Sequence, residues 1–419
     1  MRKYFEYLCL VVLIAFSVQK GIRTGWTVVN SDFANYYVAA QLVVQGKSLD
    51  KLYDNDWFQE QIKANGINTP GKFAPFPPIT AWMLVPLTPA SPLTAQRILL
   101  IINLLLVGFS IWLLQRMLHF PWRMAAILVL AAGQGFSNNL AFGQVYWIIA
   151  ACILFSLYLE QQGMGWAAGV LLGFWTSIKY IPVVFIFGFA LLAWKEQASG
   201  QPMKSRSFLI TVGSSILTGV VLIIAQYLFF GSQVMNNFIQ EAFLPHLDGE
   251  LRGQGAYSLP FQSWDGLLRH WFVPDAEFNP NPLFSWPTGR VIAKLVLLIG
   301  IGFTMISTCF RFRNSFYFYQ VALTLPVLGA MVLLPASATY HFILLVVPVA
   351  LLLNQPDWFG KTWCVMLVTI YVAIGFLPLS LFYDASTTWG IWIAYPRVWL
   401  VTALYLIVLF RFNRISPLA

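Results

Sequence analysis

The chain has 419 residues, of which 58% are hydrophobic and only 10% are charged. A soluble domain carries about 25% charged residues, so the composition excludes a soluble protein and predicts an all-α integral membrane protein. We expect a single polytopic membrane domain over residues 1–419. The net charge of +9 is not gathered into a basic stretch of the kind that binds nucleic acid, so no nucleic-acid partner is expected.

Apolar runs long enough to cross a bilayer core, which takes about 20 helical residues, recur along the whole chain. The first run, residues 4–18, is not followed by a small-residue cleavage site, so we predict a retained span rather than a signal peptide. The other spans are predicted at 93–115, 123–140, 145–160, 165–178, 181–194, 207–230, 291–310, 316–334, 341–354, 362–382 and 397–411. The sequence thus predicts about twelve transmembrane helices.

Lys and Arg residues in short connections indicate which side of the membrane is cytoplasmic. If the N-terminus is cytoplasmic, most of these Lys and Arg residues lie on the cytoplasmic side. Twelve spans then place both termini in the cytoplasm, and we expect the protein in the inner or plasma membrane of the cell. The unusual polar residues all fall on the outer side: Asp32, Lys72, Asn138, Asn139, Gln144, Lys179, His246, Arg252 and His341. A single extracytoplasmic cavity explains this distribution.

Two long outer segments, residues 23–92 and 231–290, are predicted to form the roof of that cavity. In the first, apolar spacing predicts a helix over 32–45, ended by Gly46, and an amphipathic helix over 50–63. The run KFAPFPPITAWMLVPLTP follows and contains five prolines. Because each proline removes a hydrogen-bond donor, this run cannot be one continuous helix, and we predict a re-entrant or cavity-lining element.

The second outer segment contains polar and aromatic residues that allow two interpretations. His246 and Arg252 are candidate contacts for a donor phosphate, and Gln262 is a candidate contact for a sugar or acceptor. All three also suit a solvated surface. Trp264 suits either stacking against a sugar ring or an aromatic belt at the membrane interface.

Asp32, in the stretch SDFANYY, is the leading candidate for a catalytic group. Asp is among the best helix N-caps, so one interpretation is a structural role at the start of the helix. The other is a carboxylate at the cavity mouth that takes a proton from a hydroxyl. Tyr36, one helical turn later, is a candidate contact for the sugar or acceptor.

Lys179, in TSIKYIP, is a candidate contact for a phosphate. An ionisable residue at membrane depth points to function, because its insertion costs at least about 2.5 kcal/mol. Pro182 breaks the helix and frees backbone amides, which favour an anion. The alternative is that the ammonium extends to the membrane surface.

A histidine and three amides complete the candidates. His341 begins a predicted outer-face helix and either packs at the interface or assists Asp32 or a phosphate. Asn138, Asn139 and Gln144, in SNNLAFGQ, are predicted to fill a very short outer hairpin. There they either satisfy the backbone of the turn or bind sugar hydroxyls.

The four cysteines lie in apolar runs without metal-ligand spacing, so no metal site and no cofactor are predicted. A transporter or flippase of a lipid-linked glycan is the alternative to an enzyme. The chain shows no convincing internal repeat with broken helices in matching halves, as transporters usually do. Unequal, aromatic-rich outer segments favour an enzyme that acts on a lipid-linked substrate.

Four stretches resemble glycosyltransferase family 87: SDFANYYVAAQLVVQGKSLDKLYD, FAPFPPITAWMLVPL, AFGQVYWIIAACILFSL and AGVLLGFWTSIKYIPVV. Two shorter stretches, GAYSLPFQSWDGLLRHWF and SATYHFILLVVP, are similar to a late outer loop and a late span start of that family. The similarities follow in order from about residue 30 to 350. They imply a GT-C-type membrane fold and a mannosyltransferase with a polyprenyl-phosphate-mannose donor.

The resemblance also implies roles for single residues. Asp32 would be the catalytic base, Lys179 would lie near the donor phosphate, and His341 would match a late-span histidine. The first outer loop lacks the paired acidic motif of several other GT-C families, so a divalent metal is not supported and Lys or Arg would stabilise the leaving phosphate. The implied reaction is an inverting transfer of a hexose to a lipid-linked or glycan acceptor in the bilayer.

Overall fold

The computed structural model describes residues 2–198, 202–250, 255–385 and 390–416. Arg252, a candidate phosphate contact, lies outside these residues. Within them the chain is helical and forms no β-strand. The α-helices are α1 (Arg2–Ser17), α2 (Arg23–Thr27), α3 (Ser31–Val44), α4 (Asn55–Ala64), α5 (Pro92–Leu118), α6 (Trp122–Leu130), α7 (Gln134–Phe142), α8 (Tyr146–Gln161), α9 (Gly165–Ile178), α10 (Val183–Ala198), α11 (Pro202–Asn237), α12 (Leu244–Leu247), α13 (Trp264–Phe272), α14 (Pro287–Phe312), α15 (Phe318–Leu333), α16 (Val346–Leu353), α17 (Pro356–Phe359), α18 (Lys361–Phe376) and α19 (Pro396–Arg414).

Five helical stretches of the described chain are long and apolar enough to cross a membrane: Lys3–Val44, Pro92–Leu118, Ser205–Leu247, Pro287–Phe312 and Pro396–Arg414. The pair α6 and α7 would make a sixth span, although the two helices are bent by 71°. Shorter apolar helices include α8, α9, α15 and α18. These helices fit a multi-pass membrane protein, but they do not confirm the predicted count of twelve spans.

The predicted span 123–140 is not one continuous helix. Between α6 and α7 the backbone of Gly133 adopts a positive φ of 57°, which glycine tolerates because it has no Cβ atom. A Cβ atom there would lie 2.4 Å from the carbonyl oxygen of Gly375. The chain therefore turns at Gly133, and Asn138 and Asn139 lie inside α7 instead of in the predicted outer hairpin.

The helix predicted over 32–45 is confirmed as α3, and the chain turns at Gly46 with a positive φ of 63°. Residues 33–40 of this helix are all buried, so α3 is packed inside the protein. Asn30 occupies the N-cap position. The interpretation of Asp32 as the N-cap is therefore wrong, because Asp32 lies within the first turn of the helix.

The rest of the first outer segment contains less helix than predicted. The helix expected over 50–63 begins only at Asn55, because the Asp54 side chain caps it by accepting from the amides of Asp56 and Trp57. The proline-rich run then forms only short 3-10 turns, at Pro78–Trp82 and Val85–Leu87. This confirms that the run is not a continuous helix.

Close packing of α9 on α11 fixes the end of α9. Three glycines at every fourth position of α9 face Ser and Thr residues of α11: Gly165, Gly169 and Gly173. Small residues allow two helix backbones to approach closely in a membrane protein. Lys179 directly follows α9, so this packing determines the position of the Lys179 backbone.

The second outer segment is anchored by ion pairs at the start of α14. The Arg290 guanidinium lies 3.0 Å from carboxylate oxygens of both Asp248 and Asp265. The Lys294 ammonium contacts Asp265 at 2.7 Å. Asp265 is only 4% exposed, so its charge is neutralised by these two cations inside the protein. The pairs hold the end of α12 against α13 and α14.

Candidate active site

The first turn of α3 is held in place by two amide side chains. Gln96 on α5 accepts a hydrogen bond from the backbone amide of Asn30 at 3.0 Å and donates to the carbonyl oxygen of Gly25 at 2.7 Å. The Asn30 side chain donates to the carbonyl oxygen of Ala141 on α7 at 2.5 Å. Asn30 is therefore tied to α5 and α7, which fixes the start of the helix that carries Asp32.

Asp32 lines a cavity of about 390 Å³. The walls come from α3, the proline-rich run, the residues after α9, the end of α12 and the segment between α15 and α16. Four of the predicted site residues meet there: Asp32, Lys179, His246 and His341. Residues that are more than 300 positions apart in the sequence thus share one cavity.

Gln144 connects Asp32 to Tyr36. The Gln144 Oε1 atom accepts a hydrogen bond from the Tyr36 hydroxyl at 2.7 Å. The Gln144 side chain is also a hydrogen-bond partner of the Asp32 carboxylate. Because a carboxylate only accepts, the donor to Asp32 is the Nε2 amide of Gln144. Tyr36 and Gln144 are 0% and 1% exposed, so they orient Asp32 from behind the cavity wall.

Lys179 brings a positive charge to the cavity, held among aromatic rings. Its ammonium nitrogen lies 4.0 Å from the ring centre of Phe76, 5.3 Å from that of Tyr146 and 5.7 Å from that of Tyr36. The ring quadrupole attracts a cation without neutralising its charge. Lys179 also interacts electrostatically with Asp32. The ammonium is therefore available to an anion that enters the cavity.

Lys72 brings a second positive charge. Its backbone amide donates to Asn35 Oδ1 at 2.8 Å, which ties this part of the chain to α3. The ammonium nitrogen is buried and has no hydrogen-bond partner among the described residues. Burial lowers the pKa of Lys72 to about 8, while the charge of Asp32 acts in the opposite direction. The ammonium is therefore mostly protonated at pH 7.

His341 acts on the cavity through Tyr146. Its Nδ1 atom accepts a hydrogen bond from the backbone amide of Ala338 at 2.9 Å. The ring proton is therefore on Nε2, which donates to the Tyr146 hydroxyl oxygen at 2.6 Å. His246 lines the cavity too, and its buried Nδ1 atom has no partner within the described part of the chain.

An apolar groove of about 480 Å³ adjoins the cavity. Side chains from the two 3-10 turns and from α5, α8, α9 and α11 line it, among them Trp82, Ile102, Ile148, Phe174 and Leu222. Ile178, the last residue of α9, lines both the groove and the cavity. The groove and the cavity therefore share a wall next to Lys179.

The cavity can both accept a proton and bind an anion. Its described lining carries one carboxylate, Asp32, and two ammonium groups, Lys72 and Lys179. Across the described residues, no group of three or more His, Cys, Asp or Glu side chains is placed to hold a metal ion. A carboxylate that contacts a hydroxyl is a suitable general base, and nearby ammonium groups stabilise a negatively charged leaving group.

The sequence model of glycosyltransferase family 87 matches residues 73–335, more than half of the chain. The chain belongs to this family. It is therefore a membrane glycosyltransferase, as the resemblance of its sequence stretches implied. The matched region includes Lys179 and His246, whereas Asp32, Lys72 and His341 lie outside it. Comparisons with curated proteins and with solved structures find no significant match.

Two of the candidate amides of this glycosyltransferase lie on α7, outside the cavity lining. Asn139 is fully buried, donates to the side chain of Asn103 at 3.1 Å and accepts from the backbone amide of Trp147 at 3.1 Å. Asn138 is half-buried on α7 and does not line the cavity described above. Neither side chain belongs to the site that we propose.

Gln262 and Trp264 lie away from the cavity. The Gln262 side chain donates to the carbonyl oxygen of Ala394 at 3.0 Å. The Trp264 indole donates to the Thr402 hydroxyl at 2.9 Å, and its ring packs edge-on against Trp399. These contacts join the start of α13 to α19 and the residues before it, which is a structural role.

Several lining residues are absent from the site that the sequence predicts. Asn35 lines the cavity, and so does Tyr146, whose ring stacks on that of Tyr340 at 5.0 Å. Lys72, which the sequence places on the cavity side without a role, lines it as well. Two of these have a signal in the sequence. Asn35 comes three residues after Asp32 and so lies on the same face of the helix, and Tyr340 precedes His341.

Replacing Gln144 by Leu is expected to lower kcat about tenfold and to leave KM for both substrates unchanged. The variant leaves Asp32 without its amide donor, and it leaves the buried Tyr36 hydroxyl unpaired, which costs about 1–3 kcal/mol of stability. Steady-state rates and thermal unfolding check both effects. The matched control is Gln19→Leu, because Gln19 is exposed and outside the cavity. An equal loss of kcat in the control would contradict the positioning role.

Proposed function

We propose that this glycosyltransferase moves a hexose, with mannose as the leading candidate, from a polyprenyl-phosphate donor to a hydroxyl of a lipid-linked or glycan acceptor. The observation that carries the proposal is the junction between the cavity and the apolar groove at Ile178. A substrate with an anionic head and a long apolar tail fits this junction. Its phosphate would contact Lys179 while its isoprenoid chain occupies the groove.

The proposed reaction is one in-line displacement with inversion at the anomeric carbon. Asp32 takes the proton of the acceptor hydroxyl while the hydroxyl oxygen forms a bond to the anomeric carbon. The bond between that carbon and the phosphate oxygen breaks, and its electron pair stays on the phosphate. Lys179 stabilises the charge that develops there. Tyr146, oriented by His341, is placed to donate a hydrogen bond in the same cavity.

We further propose that the reaction takes place on the extracytoplasmic face of the cell membrane, in a GT-C-type fold of about twelve spans with both termini in the cytoplasm. The distribution of Lys and Arg supports this, because it places every cavity residue that we assign on the outer side. The shorter apolar helices supply spans beyond the five or six long ones.

The test is a panel of radiolabelled donors supplied to the purified enzyme with a lipid extract of the native membrane. Mannosyl-, glucosyl- and arabinosyl-phosphate polyprenols are compared with the corresponding sugar nucleotides. We expect a labelled product from a lipid-phosphate hexose and none from the nucleotides. The anomeric configuration of the product, measured by NMR, is expected to be opposite to that of the donor.

Three outcomes would contradict the proposal. Transfer from a sugar nucleotide alone would show that the donor class is wrong. Retention of the anomeric configuration would exclude a single displacement. Movement of a labelled glycolipid across reconstituted vesicles without any new glycosidic bond would favour the transporter alternative.

A further inference from the structure

Lys72 has a buried ammonium group, and the proposed donor phosphate, which contacts Lys179, gives it no role. Lys72 lines the cavity, yet no described residue accepts a hydrogen bond from its buried ammonium nitrogen. The backbone at this point is fixed: Lys72 is held by Asn35, and a Cβ atom on the preceding Gly71 would lie 2.4 Å from Asn35 Oδ1. A buried ammonium without a hydrogen-bond partner is costly even when a carboxylate acts on it electrostatically, so this fixed ammonium indicates a hydrogen-bond acceptor that is not part of the protein.

The two ammonium groups of the cavity differ in their relation to the apolar groove. The charge of Lys179 interacts with that of Asp32. The charge of Lys72 interacts with that of Asp32. The apolar groove reaches the cavity at Ile178, beside Lys179. The lipid-linked donor is therefore assigned to Lys179, which leaves Lys72, a residue that does not line the groove, without a ligand.

We propose that Lys72 and Asn35 form the acceptor subsite, and that Lys72 binds an anionic group close to the acceptor hydroxyl. This inference rests on the proposed function. In an in-line displacement the acceptor attacks the face of the anomeric carbon opposite the leaving phosphate, and the base contacts the attacking hydroxyl. The acceptor consequently contacts Asp32 away from the leaving phosphate, and Lys72 is the cation of the same cavity that the donor does not use. A phosphate or a carboxylate on the acceptor supplies the same chemistry.

Lys72→Met is expected to raise the acceptor KM about 10- to 100-fold, the usual worth of a hydrogen bond to a charged group. The donor KM is expected to stay within twofold of wild type, and Lys72→Arg is expected to restore most of the acceptor affinity. The measurement is a pair of KM values for each variant, with a mannosyl-phosphate polyprenol as donor and octyl glycosides as acceptors. The glycosides are a neutral one, a phosphate monoester and a uronic acid, and a preference for one of the two acids identifies the anion.

The acceptor KM of the wild type is also expected to rise as the pH increases from 7 to 9, because the ammonium of Lys72 loses its proton with a pKa of about 8. Lys72→Arg is expected to abolish this rise, since a guanidinium stays protonated there. Other titratable groups face the same cavity: Asp32, Tyr146, Lys179, Tyr180, His246, Tyr340 and His341. Their titration is common to both proteins, so the difference between the two pH profiles reports on Lys72.

Two results would overturn the inference. If Lys72→Met raises the donor KM and leaves the acceptor KM unchanged, Lys72 belongs to the donor site. If the wild type uses neutral and anionic octyl glycosides equally well, no anionic group is recognised. Both results come from an active enzyme and leave the proposed function intact. A wild type that transfers from no lipid-phosphate sugar overturns the proposed function, and this inference with it.

Discussion

Replacing Asp32 by Asn is expected to lower the rate of transfer about 100- to 10,000-fold, the usual contribution of a positioned general base. Asn has nearly the same size as Asp, and its side-chain oxygen can still accept the hydrogen bond from Gln144. It cannot take the proton of an acceptor hydroxyl. Donor affinity is therefore expected to stay close to that of the wild type. Initial rates at saturating substrate, together with equilibrium dialysis of labelled donor, measure the two quantities separately.

Asp56→Asn is the matched control for this prediction. Asp56 is an exposed carboxylate in the first turn of α4, within the same outer segment, and it lies outside the cavity. The control is expected to transfer at the rate of the wild type. Normal turnover by Asp32→Asn would show that Asp32 is a structural residue and that the base must be sought elsewhere. A loss of donor binding equal to the loss of rate would place Asp32 in the donor site instead.

Local signals predicted the elements around Asp32 well. The helix α3 begins and ends within one residue of its prediction, because apolar spacing and the following Gly46 are properties of neighbouring residues. The proline-rich run was recognised as non-helical for the same reason, since a proline acts on its own turn. In both cases the information lies within a few residues of the element.

The break between α6 and α7 could not be predicted from local pattern. Residues 123–140 are apolar enough for a single span, and a glycine within such a run is compatible with a helix. The turn at Gly133 has no room for a side chain, because the carbonyl oxygen of Gly375 lies where a Cβ atom would be. That neighbour is more than 200 residues away in the sequence, so only the fold reveals the constraint.

The residues of the candidate site also divide into those that the local sequence predicts and those that only the fold reveals. The sequence points to Asp32 and Lys179 because a charge is unusual near a membrane, whatever surrounds it. It does not show which polar residues of a long outer segment face a cavity. Gln262 is therefore a reasonable candidate by composition, although the structure uses its amide to hold α19. Tyr146 has no such signal, since it is one aromatic residue in an apolar helix.

Lys179→Met is expected to lower kcat/KM for the donor about 100- to 1,000-fold. Methionine keeps an apolar stem of similar length among Phe76, Tyr146 and Tyr36, so the aromatic packing is expected to survive. The variant lacks the charge that balances the phosphate, both when the donor binds and when the phosphate leaves. We therefore expect a higher donor KM and a lower kcat, with an unchanged acceptor KM, measured by steady-state kinetics with a mannosyl-phosphate polyprenol.

Donors with different leaving groups test whether Lys179 stabilises the leaving phosphate or only the folded structure. Lys63→Met, at an exposed position of α4, is the control and is expected to behave as the wild type. A donor analogue with electron-withdrawing fluorine atoms in the lipid next to the phosphate has a less basic leaving phosphate, and it is expected to recover part of the rate in Lys179→Met. A loss of rate that is the same for all leaving groups would contradict charge stabilisation by Lys179. Such a result would mean that the ammonium only stabilises the packing of the three rings around it.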